Sequence, residues 1–313
     1  MQEKPIDLLA IMGPTATGKT KLAAHLAHLM NAEIISADSR QVYRGMDLGT
    51  GKDLEDYIIG GVTVPIHLVD ILEAGQKYNV FEYQADFLKA YKNIKEHGSF
   101  PILCGGSGMY IEAVLKGYQL INVPVNELLR QELETWDLPK LAAHLAALKP
   151  LHNTSDIDTR KRAIRAIEIA RYEAGHSKKE FTYPEINTLI IGIAMNRQTV
   201  KNLITERLKE RLRQGMIDEV QALLNKGVPS EVLVYYGLEY KFIAQYLAKE
   251  FSYNAMFEKL NVAIHQFSKR QMTFFRKMEK DGFTIHWIDG HAPLEEKIQK
   301  VMQLIKVSQG KEL

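Results

Sequence analysis

Residues 13–20 read Gly13-Pro14-Thr15-Ala16-Thr17-Gly18-Lys19-Thr20, which is the phosphate-binding loop pattern G-x-x-x-x-G-K-T. The apolar run Ile6 to Met12 before it predicts a buried strand, and the periodic segment Lys21 to Met30 after it predicts a helix. This order makes a phosphate site, because loop amides and the helix N-terminus both face the phosphate oxygens. Lys19 would neutralise terminal phosphates, and the Thr20 hydroxyl would ligate Mg²⁺. The stretch therefore predicts binding of a di- or triphosphate.

Further apolar runs follow the phosphate loop at intervals that leave room for helices. They lie at Glu33 to Ala37, Val64 to Ile71 and Phe100 to Cys104, and the segment Phe81 to His97 has helical periodicity. Strands that alternate with helices are typical of a parallel sheet covered on both faces. The sequence thus predicts an α/β fold, a P-loop NTPase-like parallel sheet flanked by helices.

The strand pattern stops after Gly117 and returns at Thr188 to Met195, and helical patterns occupy the stretch between. A segment without strands inside an α/β sequence indicates a separate lobe. We therefore expect a catalytic core with C-terminal helices at residues 1–117 and 186–313, and an inserted all-helical lobe at residues 118–185.

The composition is that of a folded protein. Of the 313 residues, 46% are hydrophobic and 25% are charged, which is enough to bury a full core. No signal segment and no apolar run long enough to cross a bilayer is evident, so we expect a cytoplasmic protein without membrane association. Cys104 is the only cysteine and lies in an apolar run, which favours a buried, inert thiol.

Basic residues are concentrated in two stretches. The net charge is +2, yet Arg160 to Glu180 holds seven basic and three acidic residues and Glu258 to Lys280 holds six and two. Each stretch therefore carries +4, and the rest of the chain is net acidic. Local basic zones on an acidic background favour contact with a polyanion. Two solvated helix faces would explain the charge equally well.

Polar residues follow three of the predicted strands. Asp38 comes directly after the second strand, Asp70 ends the third like the metal-orienting aspartate of P-loop proteins, and Ser107 follows the fourth. Ligands of open α/β sheets bind at the carboxyl ends of the strands, so we expect these side chains near the bound phosphate. For Asp70 a structural role is as well supported as a functional one.

Five segments resemble the tRNA dimethylallyltransferases, the adenine-37 isopentenyl transferases. They are GPTATGKT (13–20), ISADSRQVYRGMDLGTGK (35–52), PILCGGSGMY (101–110), GMIDEV (215–220) and SKRQMTFFRK (268–277). The phosphate loop is generic, whereas the combination is specific to the family and spans nearly the whole chain. The resemblance implies transfer of a dimethylallyl group from dimethylallyl diphosphate to N6 of adenine 37 in the tRNA anticodon loop.

The resemblance also implies residue roles. Asp38 would be the general base, the phosphate loop would bind the diphosphate, and Arg207 would stabilise the diphosphate as it leaves. Ser107 supplies a hydroxyl where the family has threonine, and it joins Asp38 and Arg207 as an expected catalytic residue. The residues expected to contact tRNA are Asp38, Ser39, Arg40, Gln41, Ser107, Arg130, Arg160, Arg162, Tyr236, Gly237, Lys269, Arg270 and Arg276.

Several positions depart from the family pattern. Leu203 and Leu238 stand where the family has an arginine and a tyrosine. Ile264 and His265 replace a threonine and an arginine, so a constant cation becomes an imidazole that is largely neutral at pH 7. The inserted lobe is also abbreviated around Leu151 to Asp158. These changes fall mainly on tRNA and outer diphosphate contacts.

Three other functions remain open at this stage. The phosphate loop alone would suit an ATP-dependent kinase for a small molecule or nucleotide, although a kinase needs no basic helical region after the sheet. The departures would fit an RNA-binding paralogue with weakened catalysis. Prenyl transfer to free adenine nucleotides would use the same chemistry. We expect a monomer.

Overall fold

The computed structural model describes residues 5–150, 155–176 and 182–309. The strands in these ranges are β1 (Leu8–Met12), β2 (Ala32–Ala37), β3 (Ile58–Ile59), β4 (Val62–Thr63), β5 (Ile66–His67), β6 (Phe100–Gly105), β7 (Thr188–Ala194) and β8 (Ile285–Asp289). Six of them form a parallel sheet in the order β5-β2-β6-β1-β7-β8, and β3 pairs with β4 in a small antiparallel hairpin. The predicted parallel α/β fold is confirmed.

Helices connect the strands. They are α1 (Lys19–Met30), α2 (Val80–Glu96), α3 (Gly108–Lys116), α4 (Glu127–Leu133), α5 (Leu138–Leu148), α6 (Arg160–Gly175), α7 (Arg197–Arg213), α8 (Met216–Asn225), α9 (Ser230–Tyr236), α10 (Leu238–Leu247), α11 (Tyr253–Lys280) and α12 (Leu294–Ser308). In the part of the chain that the structure describes, none of these helices is long and apolar enough to cross a membrane.

The central strand β1 divides the hydrophobic core into two faces. All five of its residues are buried, as expected for a parallel strand covered on both sides. Leu8, Ala10 and Met12 pack into the cluster that includes α2, α7 and α11, whereas Leu9 and Ile11 pack with α1 and α12. The alternation follows from the two-residue period of a strand. It places α11 and α12 on opposite faces of the sheet.

The chain divides into two compact units, Met1–Gly117 with Glu185–Leu313, and Tyr118–Pro184. The first unit contains the sheet. In the second, the described elements are α4, α5, α6 and a short 3-10 turn, packed around a cluster that includes Leu133, Leu141 and Ile167. The regular secondary structure described within residues 118–184 is thus helical, without a strand in the described part. The abbreviation expected around residues 151–158 falls partly outside the described residues.

A buried carboxylate ties the second unit together. The Glu168 side chain on α6 is 2% exposed and accepts hydrogen bonds from Arg130 Nη2 at 2.8 Å and from the Asn126 amide at 2.6 Å. Arg165 also donates to it. Burial would raise the pKa of Glu168, but these hydrogen bonds outweigh burial and hold the pKa below its usual value. The pair with Arg130 joins α4 to α6.

Replacing Glu168 with glutamine should therefore destabilise the second unit by about 1–3 kcal/mol, because Arg130 and Arg165 lose their counter-ion. Since the folded-state pKa is depressed, this stability is present at neutral pH and is lost as the pH falls through the range of carboxyl titration. Amide hydrogen exchange of α4 and α6 in the full chain measures the effect. Equal protection in wild type and variant at pH 7 would contradict it.

One predicted strand was wrong in length. Of the run Val64 to Ile71 only Ile66–His67 forms a strand. The backbone of Leu68 and of Asp70 is left-handed, with φ of 62° and 54°, which no strand accommodates. Cys104 is buried as predicted, and burial raises the pKa of its thiol to about 12.

Candidate active site

The phosphate loop joins β1 to α1. Ala16 and Gly18 have left-handed backbone, with φ of 64° and 77°, which curls the loop. The Thr17 hydroxyl donates to the Pro14 carbonyl at 2.8 Å, and Lys19 Nζ approaches the same carbonyl at 3.3 Å. The predicted strand, loop and helix are all present. The loop leads into the N-terminus of α1, where backbone amides are available to an anion.

A buried glutamine fixes the phosphate loop from the other side. Gln271 on α11 accepts a hydrogen bond from the Thr15 amide at 3.0 Å and donates to the Gly106 carbonyl at 2.9 Å. It therefore joins the phosphate loop, 256 residues away in the chain, to the loop after β6, 165 residues away. The segment 269–276 was predicted only as a tRNA contact, so this clamp was missed.

Asp38 lies at the carboxyl end of β2, as predicted. Its Oδ1 accepts a hydrogen bond from the Arg40 amide at 2.9 Å, which leaves the second oxygen without a described protein donor. The Ser107 hydroxyl accepts from the Ser39 amide at 3.0 Å, and the Ser107 amide donates to the Ala37 carbonyl at 3.1 Å. Ser107 thus holds the backbone next to Asp38. The structure brings the predicted Asp38 and Ser107 together.

Glu219 of the GMIDEV segment organises the loop Met46–Asp53. Its carboxylate accepts hydrogen bonds from three consecutive amides, Asp47, Leu48 and Gly49, at 2.8–3.1 Å, and from the Tyr240 hydroxyl at 2.6 Å. A carboxylate with four donors fixes the backbone strongly. Sequence reasoning recognised the segment but gave Glu219 no role, because its partners lie about 170 residues away.

Asp70 contacts the same loop. Its carboxylate pairs with the buried Lys52 Nζ, which also donates to Asp47 Oδ1 at 2.7 Å and to the Tyr43 carbonyl at 2.8 Å. The Lys52 side chain is almost inaccessible, so its charge requires these partners. Of the two roles left open for Asp70, the structure supports the structural one.

Arg207 on α7 reaches toward the phosphate loop. Its Nη1 lies 3.4 Å from Thr15 Oγ1, and its Nη2 donates to Asp53 Oδ2 at 2.9 Å and lies 3.4 Å from the Gly51 carbonyl. Gln41 Nε2 donates to the same Gly51 carbonyl at 3.1 Å. Arg207 therefore lies at the phosphate loop. The Gly51 carbonyl connects it to Gln41, three residues after Asp38.

The phosphate loop, Asp38 and Arg207 line one crevice. The charged side chains of this crevice shift the pKa values of Lys19 and Arg207. Burial lowers the pKa of Lys19, and the positive charge of Arg207 lowers it further, whereas Cys104 and Asp38 oppose the shift. Burial and then Arg211 lower the pKa of Arg207. Lys19, Asp38 and Arg207 therefore share one electrostatic environment, in which an arriving anion would be stabilised.

The long helix α11 carries an exposed basic surface. Lys269, Arg270 and Arg276 are exposed, and no carboxylate in the described ranges pairs with them. Lys277 differs, because it pairs with Glu112 at 3.1 Å and Asp281 at 3.2 Å. We call Lys269, Arg270 and Arg276 the α11 cations. Lys269 and Arg276 also line a 410 Å³ cavity with Arg197 and Lys201 of α7.

Other predicted tRNA residues have partners within the protein. Tyr236 is 1% exposed, and its hydroxyl bonds to the Gln76 carbonyl at 2.9 Å and to the Gly75 amide. Gly237 follows with φ of 137°, between α9 and α10. Arg40 is partly exposed and stacks over the Tyr235 ring at 4.9 Å. A guanidinium on an aromatic ring remains available to a stacked base.

In the helical unit, Arg130 pairs with Glu168 as described above. Arg162 pairs with Asp158 at 2.9 Å, and Arg160 donates to the Glu134 carbonyl. Arg160 and Arg162 are exposed, whereas Arg130 is the least accessible of the three. Residues 177–181 at the end of the first basic stretch lie outside the described residues.

The departures from the family pattern fall at different depths. Leu203 is exposed on α7, and Ile264 is buried. His265 Nε2 lies 3.1 Å from the Lys201 carbonyl and 3.2 Å from Thr205 Oγ1. The Thr205 hydroxyl donates to Asn261, so the imidazole N–H donates toward α7. His265 therefore joins α11 to α7.

The comparisons with known proteins identify the family of this chain. The IPP transferase family model matches residues 41–278. A tRNA dimethylallyltransferase of Bacteroides fragilis is 57% identical over 96% of this chain and 98% of its own length, and one of Porphyromonas gingivalis is 56% identical over 95% and 98%. The crystal structure of a tRNA isopentenylpyrophosphate transferase from Bacillus halodurans superposes with a TM-score of 0.71 at 30% identity, and covers 97% of both chains. The chain belongs to the IPP transferase family.

Proposed function

We propose that this protein transfers a dimethylallyl group from dimethylallyl diphosphate to N6 of adenine 37 in tRNA. The observation that carries the proposal is the arrangement of a carboxylate, Asp38, and a phosphate loop with Lys19 and Arg207 in one crevice. Family membership and relatives named tRNA dimethylallyltransferase support the same reaction.

The chemistry explains why these groups are needed. An exocyclic adenine amine is a poor nucleophile, so a carboxylate must take its proton as the new N–C bond forms. The C–O bond of the substrate breaks, and its electron pair stays on the diphosphate. Lys19, Arg207 and the loop amides stabilise that charge. Asp38 holds the transferred proton at the free oxygen of its carboxylate.

Mg²⁺ fits the residues of the crevice as a substrate-bound ion. The described residues contain no cluster of three or more His, Cys, Asp or Glu that could hold a metal alone. Mg²⁺ commonly binds through substrate phosphates, waters and one or two protein oxygens. The Thr20 hydroxyl at the N-terminus of α1 is the protein oxygen that we assign to it. The ion would neutralise diphosphate charge.

We assign the α11 cations and the segment 39–41, which includes Arg40, to tRNA binding. A folded anticodon loop presents its target base only when that base leaves the stack, which requires backbone contacts and aromatic surfaces. Phe267 on α11 is 40% exposed and lies beside Lys269 and Arg270 in sequence, whereas Phe275 is fully buried. The Arg40 and Tyr235 pair offers a second stacking surface.

Alanine at Lys269, Arg270 or Arg276 should each weaken tRNA binding and reduce its salt dependence by about one phosphate contact, while binding of dimethylallyl diphosphate is unchanged. Filter binding at four salt concentrations measures the slope of log affinity against log salt concentration. Lys300→Ala is the matched control, because it removes an exposed cation from α12 on the opposite face of the sheet. Slopes equal to wild type in all three variants would mean that the α11 cations face solvent and do not contact tRNA.

One experiment separates the proposed reaction from the alternatives. The protein is incubated with radiolabelled dimethylallyl diphosphate and either unmodified tRNA or AMP, and in parallel with γ-labelled ATP and the same acceptors. Label from dimethylallyl diphosphate in tRNA, located at adenine 37 by nuclease digestion, is the expected result. Label in AMP alone, phosphate transfer from ATP, or tRNA binding without transfer would each refute it.

A further inference from the structure

A second arginine shares the position of Arg207. Arg211 lies one turn further along α7, and its Nη2 donates to both oxygens of Asp53 at 2.9 and 3.0 Å. Arg207 Nη2 donates to Asp53 Oδ2 at 2.9 Å. One carboxylate thus bridges two guanidinium groups. Both arginines line a small cavity together with Thr15 and Ala16 of the phosphate loop.

Backbone geometry keeps this space clear for the two guanidinium groups. Gly51 has φ of 75°, and a Cβ at this position would lie 2.5 Å from Arg207 Nη2 and 2.9 Å from both terminal nitrogens of Arg211. Any other residue at position 51 would displace both side chains. The loop Met46–Asp53, which Glu219 fixes, therefore positions the pair.

The three hydrogen-bonded side chains Arg207, Arg211 and Asp53 carry two positive charges and one negative charge. The Arg211 side chain is 11% exposed, and each guanidinium offers five N–H donors. Asp53 hydrogen-bonds to both arginines, and the charge of Asp56 also acts on Arg207. Glu239 lines the same cavity; burial raises the pKa of its carboxyl group, and the positive charges of Arg211 and Arg207 oppose that shift. Two closely spaced guanidinium groups that share one hydrogen-bonded carboxylate still offer N–H donors to a further anion.

Asp53 is the accessible member of the cluster. Its side chain is 46% exposed, whereas both arginines are more buried. A guanidinium binds carboxylate and phosphate oxygens with the same bidentate geometry. The Asp53 carboxylate therefore occupies the position at which two phosphate oxygens would satisfy the same donors.

We propose that Arg211 binds the diphosphate of the isoprenoid substrate together with Arg207, and that Asp53 is a counter-ion which the diphosphate displaces from both. The proposal rests on the proposed function and adds a second fixed cation to it. When the C–O bond breaks, the electron pair moves onto the diphosphate. Arg211 stabilises that charge beside Arg207. Asp53 pairs with both guanidinium groups again when the product leaves.

The variants Arg211→Gln, Arg211→Lys and Asp53→Asn test this assignment against Arg213→Gln. Arg213 lies two residues away, is 70% exposed and pairs only with Glu210 among the described residues, so it is the matched control. Calorimetric titration with inorganic diphosphate gives binding, and single-turnover transfer to tRNA gives the chemical step. Circular dichroism and thermal melting establish that each variant is folded.

Arg211→Gln should weaken diphosphate binding and lower the transfer rate by about 10–100-fold. Arg211→Lys should recover only part of the loss, because an ammonium lacks the planar fork. Asp53→Asn should tighten diphosphate binding by up to about tenfold, since a competing anion is removed. In an Arg211→Gln background this gain should shrink.

Diphosphate binding and transfer within twofold of wild type in Arg211→Gln would overturn the proposal and make Arg211 a structural partner of Asp53. Weaker diphosphate binding in Asp53→Asn would also overturn it, because Asp53 would then support the ligand. Failure of the proposed function can be distinguished from failure of the Arg211 assignment. A wild-type protein that binds diphosphate but does not prenylate tRNA refutes the reaction, and the titrations still decide the role of Arg211.

Discussion

Replacing Asp38 with asparagine is expected to lower the rate constant of prenyl transfer by about 10²–10⁴-fold, the range for loss of a general base. Asparagine keeps an oxygen that can accept the hydrogen bond from the Arg40 amide, so the segment after β2 retains its geometry. It cannot take a proton from the adenine amine. Binding of tRNA and of dimethylallyl diphosphate should change little.

Asp38→Ala separates the two contributions of this side chain. Alanine removes the base and also the hydrogen bond to the Arg40 amide. If proton transfer is the role of Asp38, both variants should be slow to a similar extent. If Asp38→Asn keeps a rate within threefold of wild type while Asp38→Ala is slow, the side chain acts only on the backbone. Single-turnover rates with saturating substrates give the comparison.

The sequence predicted the parts of the site that are local in the chain. The phosphate loop is a continuous pattern between β1 and α1, and the position of Asp38 after β2 follows from the rule that ligands bind at the carboxyl ends of strands. The resemblance supplied Arg207. Each of these predictions needs only neighbouring residues or a single motif.

The residues that were missed depend on contacts across the chain. Glu219 bonds to amides about 170 residues earlier, Gln271 bonds to Thr15 across 256 residues, and Arg211 bonds to Asp53 across 158. No periodicity records such pairs. Arg211 had one local signal, since it lies four residues after Arg207 and therefore on the same face of α7.

The shortened strand β5 has a similar cause. Val64 to Ile71 is apolar enough for a long strand, but Leu68 and Asp70 take left-handed backbone conformations. Asp70 then reaches Lys52, a contact that becomes visible only once the loop Met46–Asp53 is in place. Tertiary packing overrides local strand propensity here.

Arg207→Ala is expected to lower the transfer rate constant by about 10²–10³-fold, because the charge it stabilises is largest when the C–O bond breaks. The Michaelis constant for dimethylallyl diphosphate should change less than the rate constant, which identifies an interaction made mainly in the transition state. Arg213→Gln on the same helix should have the wild-type rate.

The double variant Arg207→Ala with Asp53→Asn tests whether Arg207→Ala acts indirectly, through Asp53. Arg207→Ala also removes one of the two guanidinium groups from Asp53, and an unbalanced carboxylate beside the phosphate loop would itself repel diphosphate. In an Asp53→Asn background that repulsion is absent. If the loss from Arg207→Ala persists there, Arg207 acts on the leaving diphosphate. If the rate returns to within threefold of Asp53→Asn alone, the guanidinium serves only to neutralise Asp53, and charge on the diphosphate is stabilised by Lys19, Arg211 and the loop amides instead.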